Sequence, residues 1–119
     1  MLALVIDDSM LIRHTVCRFL ESRGFSVETA GDGFAALDAL KMIRPDVIVT
    51  DLQMPQLSGY QLIDALQANE QTAAIPILVL AARPVAEVPR VHTIIYKDLN
   101  VEEQLEQALE SLFPRPATN

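Results

Sequence analysis

Cysteine is nearly missing from this 119-residue sequence. Cys17 is alone, so no internal disulfide can form, and no Cys/His group has zinc-ligand spacing. Neither kind of staple therefore supports the fold, and the length suits one domain with a core of its own. Basic residues are also scarce: nine Lys and Arg against sixteen Asp and Glu leave a formal charge of −7. A nucleic-acid partner needs a basic face to neutralise phosphates, so none is expected for this domain. No apolar run approaches the roughly 20 residues of a membrane span. The first run is short, lacks a basic start and ends in Asp7, unlike a signal peptide. A cytoplasmic setting, without membrane association, is the expectation. There are no internal repeats. The only biased stretch is the closing "PRPATN", so residues 1–113 read as the domain and 114–119 as a tail or linker.

Apolar runs are what the sequence does contain. "LALVI" (Leu2–Ile6), "FSVETA" (Phe25–Ala30), "DVIVT" (Asp46–Thr50), "IPILVLAA" (Ile75–Ala82) and "HTIIYK" (His92–Lys97) read as strands. Several are almost continuous in Val, Ile and Leu, as in parallel strands covered on both faces. Between them lie amphipathic segments. The first helix follows Ser9 as N-cap and stops at Gly24. "GFAALDALKMI" is the second, ended by Pro45, and "GYQLIDALQAN" the third. "VEEQLEQALESLF" is the last, with Asn100 and Glu103 in capping-box spacing. The alternation predicts an α/β fold with a parallel sheet. One connection breaks it: "RPVAEVPRV" (Arg83–Val91) has nine residues and two prolines, and Pro89 opposes a full helix there.

Ligands of an open parallel sheet sit beyond the carboxyl ends of its strands. The first strand ends in Asp7 and Asp8, the third in Asp51 and the fifth in Lys97. Taken singly, each aspartate would be a helix-start or loop acid favoured by the backbone dipole. Three carboxylates and one ammonium at one rim point instead to a site. Mutual repulsion favours a hard cation, and Mg²⁺ suits oxygen ligands. A metal and an ammonium facing one carboxylate describe phosphoryl transfer, with Asp51 attacking phosphorus.

The motifs "VIDDS", "AGDGFAAL", "PDVIVTDLQMPQLSGYQL" and the late Lys97 extend over nearly the whole chain. In these it resembles the receiver domain of two-component response regulators. The resemblance implies a flavodoxin-like, doubly wound five-stranded sheet of order 2-1-3-4-5, here with the fourth helix short or missing. It implies that Asp51 accepts phosphoryl from a histidine kinase or phosphotransfer protein. Mg²⁺ would be held by Asp8, Asp51 and the backbone carbonyl of Gln53, with Asp7 acting through water and Lys97 contacting the phosphoryl group. Catalysis would be confined to self-phosphorylation from a donor and self-dephosphorylation.

Several family positions depart from the pattern. Ala81 stands where a hydroxyl residue is usual, Ile94 where a switch aromatic is usual, and Asp98 where a cis proline is usual. Tyr96, two residues along the same strand face, is a candidate substitute for the aromatic. The Lys97–Asp98 bond is expected to be trans. Gln53 and Arg83 flank the expected phosphoryl position. The reading is a phosphoacceptor with a weakened or rewired switch; the alternative is a pseudo-receiver acting as a phosphorylation-independent interaction module. Without the fourth helix, the face carrying Val85, Val88, Val91 and Tyr96 is expected to lose its cover and to offer a surface for a second copy or a protein partner. "GDGFAA" also matches a dinucleotide fingerprint, but that motif belongs in the first strand-to-helix turn, which the two aspartates occupy.

Overall fold

Side chains along a strand alternate between faces, and in the runs 2–6, 47–51 and 77–81 both sets are mostly apolar, so the sheet must be covered twice. The computed structural model describes residues 1–85, 88, 90–98 and 100–114. Five strands, β1 (Leu2–Ile6), β2 (Ser26–Ala30), β3 (Val47–Asp51), β4 (Ile77–Ala81) and β5 (Thr93–Tyr96), form one sheet in the order β2-β1-β3-β4-β5. Every pairing is parallel. The helices are α1 (Met10–Ser22), α2 (Gly33–Ala39), α3 (Gly59–Ala68) and α4 (Val101–Leu112). This is the flavodoxin-like order expected.

The alternation builds two cores. Ala3, Val5, Val47, Val49, Leu78, Leu80 and Ile95 pack with Val16, Phe19 and Leu20 of α1 and Leu105, Ala108 and Leu109 of α4. Leu4, Ile6, Ile48, Ile77, Val79 and Ala81 face the other way, onto Ala36 of α2 and Leu62, Ile63 and Leu66 of α3.

Local chemistry sets the helix ends. Ser9 Oγ accepts the Ile12 N–H at α1's start. At its end the N–H groups of Gly24 and Phe25 return to the carbonyls of Glu21 and Leu20, with Gly24 at φ +89°, a left-handed cap. α2 is shorter than its sequence pattern. Beyond Ala39 the Lys41 and Met42 N–H groups bond three residues back, and the chain tightens into turns before Pro45. The reciprocal capping box stands at Ser58 and Gln61 of α3. At α4, Asn100 Oδ1 accepts the Glu103 N–H, and the second contact runs from the Asn100 amide to the Glu103 carboxylate.

None of the described residues between β4 and β5 is helical. Pro89, whose lost donor argued against a helix, and the tail from Arg115 onward lie outside those residues. The uncovered face expected here is corrected. Val88 is 7% exposed, and Val85 and Val91 are half-buried, all packed on the core beside α3 together with Ile94 and Tyr96. These three valines supply cover for that face. Arg90 holds φ +68° in this segment, a left-handed conformation that costs a side-chain-bearing residue about 1 kcal/mol or more. Arg90→Gly is expected to raise stability by about 0.5–1 kcal/mol in urea unfolding, net of glycine's own entropy cost. A loss of stability would mean that the arginine's contacts outweigh the strain.

Candidate functional site

Parallel strands of similar length end at one rim, and the register brings the predicted acids together there. The Asp7 N–H donates to Ala30 O at 3.2 Å, extending the β1–β2 ladder by one residue. Asp51 is the last residue of β3, the neighbour of β1. Lys97 follows β5, its N–H donating to Ala81 O at 2.9 Å. From there its side chain crosses the end of β4 to the two acids. Lys97 Nζ lies 3.0 Å from Asp7 Oδ2 and 3.2 Å from Asp51 Oδ2.

Asp7 and Asp51 are buried, while Asp8 is exposed. One carboxylate oxygen from each of the three lies within 4.8 Å of the others. Burial is the main force raising the Asp51 carboxyl above its ordinary pKa, and the Asp7 charge adds to it; Lys97 and the Gln53 N–H oppose them. Burial works against the Lys97 ammonium, but the Asp7 and Asp51 carboxylates outweigh it and raise its pKa. Asp7 Oδ1 accepts the Ser9 N–H at 2.8 Å, and Asp51 Oδ1 accepts the Gln53 N–H at 3.3 Å. Asp7 Oδ2 touches Lys97 as an ion pair, yet among the described residues has no donor aligned to it as a hydrogen bond. A buried anionic oxygen in that state, in an all-carboxylate donor set open at Asp8, fits a hard cation such as Mg²⁺.

The departures expected at the rim are visible as geometry. Ala81 is buried at the end of β4, one strand from Asp51. Next to it a cavity of ≈ 400 Å³ is lined by Leu52, Gln53, Ala81, Ala82, Arg83 and Val85. Ile94 and Tyr96 share a face of β5 and pack on the α3-side core. Asp98 is exposed, and the described residues contain no cis peptide bond, so Lys97–Asp98 is trans.

Some contacts escaped the sequence reading. Arg13, in the first turn of α1, donates through Nη1 to Asp7 O at 2.7 Å. Its position one turn into α1, next to the acid-bearing loop, was the available signal. Glu106 is half-buried and pairs with Arg23 at the end of α1. Cys17 is half-buried, and burial raises its thiol pKa, which makes it a poor nucleophile.

The chain is similar to known proteins in sequence and in fold. The response regulator receiver domain family matches residues 3–110. The response regulator MprA of Mycobacterium avium is 42% identical over 80 residues, 67% of this chain and 34% of its own length. The chain thus matches about a third of the length of such curated relatives. Among solved structures, the chemotaxis protein CheY4 of Vibrio cholerae superposes with a TM-score of 0.85 at 32% identity, covering 94% of this chain and 98% of that one. The N-terminal domain of a response regulator receiver protein from Methanoculleus marisnigri gives 0.75 at 28% identity, over 97% and 98%. With a family match across nearly its whole length and the acid-and-lysine rim in place, the chain belongs to the response regulator receiver domains.

Proposed function

We propose that Asp51 is the phosphoacceptor of a two-component relay, taking a phosphoryl group from a phosphohistidine of a kinase or phosphotransfer protein. The observation that carries this reading is the single ammonium of Lys97 set between the buried carboxylates of Asp7 and Asp51. An Asp51 oxygen forms the new O–P bond as the donor's N–P bond breaks, and the imidazole keeps the electron pair. Lys97 stands where it can move from its carboxylate contacts to the incoming phosphoryl oxygens. Asp8 and Asp51, with the Gln53 carbonyl, would hold Mg²⁺, and Asp7 would act through a water. When bound, the ion neutralises charge on the transferring group. The cation and Lys97 together favour the ionised, nucleophilic form of Asp51 against its burial. The setting proposed is cytoplasmic; no helix among the described residues is long and apolar enough to cross a membrane.

The output is proposed to be weakened or rewired. Ala81 offers the phosphoryl group no hydroxyl, and a hydrogen bond to a charged group contributes ~1.5–3 kcal/mol. Carrying a switch from 1:99 to 99:1 takes about 5.5 kcal/mol, so that loss is a large share of the drive. The same substitution favours a second reading, a pseudo-receiver that works without phosphorylation. Incubation with a small acyl phosphate and Mg²⁺, followed by intact-mass measurement, separates the two. The expected result is one added phosphoryl group on the wild type and none on Asp51→Ala. An unmodified wild type would favour the second reading.

A further inference from the structure

Asp8 is the one exposed acid of the cluster, and among the described residues its carboxylate makes no hydrogen bond or ion pair. Its placement therefore depends on the backbone that carries it. That backbone is held from one side by Arg13. The guanidinium donates to Asp7 O, the carbonyl of the Asp7–Asp8 peptide, at 2.7 Å. The Arg13 N–H in turn donates to Ser9 O at 3.0 Å, and the Ser9 N–H to Asp7 Oδ1 at 2.8 Å. Residues 7 to 13 thus form a closed loop joining the end of β1 to the first turn of α1. Room for the guanidinium comes from Gly31, just past β2. A Cβ at that position would lie 3.2 Å from Arg13 Nη1, closer than ordinary contact.

We propose that Arg13 is a positioning residue: seated in the notch at Gly31, it fixes the Asp7–Asp8 peptide and so sets the cation affinity of the Asp7, Asp8 and Asp51 cluster. The proposal rests on the reading that this cluster holds Mg²⁺. A competing effect has the opposite sign. Arg13 is also a positive charge near a cation site, and on electrostatics alone its removal would tighten binding. Positioning predicts the reverse, because outer partners of metal ligands commonly contribute 10- to 100-fold in affinity.

The test is a calorimetric titration of the 119-residue chain with MgCl₂ in wild type, Arg13→Gln, Gly31→Ala and the double variant, with circular dichroism used to correct for the folded fraction. Arg13→Gln is expected to bind Mg²⁺ about tenfold more weakly than wild type. Gly31→Ala keeps the charge but makes the guanidinium give by a few tenths of an ångström at its carbonyl contact, and should weaken binding in the same direction by a smaller factor. The double variant should be no weaker than Arg13→Gln alone, since both changes break one contact. Tighter or unchanged binding in Arg13→Gln, unchanged binding in Gly31→Ala, or additive losses in the double variant would overturn the positioning role. A wild type that does not bind Mg²⁺ at all would instead overturn the cation-site reading beneath it.

Discussion

Replacing Lys97 with methionine should destabilise the protein by about 3–5 kcal/mol, the usual consequence of leaving buried charges without their partner. Two carboxylates depend on this one ammonium, and both are buried. Methionine keeps most of the stem's volume, so the loss reports charge more than packing. The pH dependence has a definite sign. Lys97 has a raised folded-state pKa, so its contribution is complete at neutral pH and disappears only in alkali, as pH climbs through that raised value. Asp51 is also raised, so the fold holds its proton more tightly than the unfolded chain does. Acidification through that range therefore favours the folded state, and it should do so more strongly once Lys97 is gone. The deficit of Lys97→Met, read as a shift in urea midpoint, should shrink as pH falls through the titration of Asp51. A deficit below about 1 kcal/mol at neutral pH would put this contact in the class of exposed surface pairs.

The second large effect is steric. Gly59 opens α3, and its N–H donates to Leu52 O at 3.0 Å. A Cβ there would fall 2.3 Å from Asp51 O and 2.6 Å from the Leu52 Cα. These are backbone atoms of the segment that carries Asp51 and cannot rotate away. Gly59→Ala should therefore cost at least the 1–3 kcal/mol of an overpacked core, about 3 kcal/mol or more here. It should also displace Asp51, so that labelling by an acyl phosphate falls even where the variant remains folded. Wild-type stability together with wild-type labelling would contradict the close approach.

Much of this was legible in the sequence because it is local. β1 is the run Leu2–Ile6 as read, and the other strands fall within two residues of their runs. Acids at strand ends converge once the strands are parallel, which is why Asp7, Asp8, Asp51 and Lys97 were found together. What stayed hidden depends on neighbours distant in sequence. Arg13 matters through a carbonyl at the far side of a turn and through space left by Gly31. Val85, Val88 and Val91 recur every third residue, but Pro84 and Pro89 argued against a helix there, so that spacing did not show that they pack inward. α2 was read too long because Leu40 and Ile43 continue the apolar stripe, although between them the Lys41 and Met42 N–H groups already bond three residues back.

Among the described residues β5 is the last strand of the sheet, with no strand beyond it. The Gln104 side-chain amide accepts from the Tyr96 N–H at 2.9 Å and donates to the Tyr96 carbonyl at 2.9 Å, as an adjoining strand would. A foreign polypeptide trying to zip onto this margin would find both groups already occupied and would first have to evict the glutamine. Open strand margins are where chains stack into aggregates, so α4 shields the molecule from self-templated assembly at the strand end nearest its acidic rim.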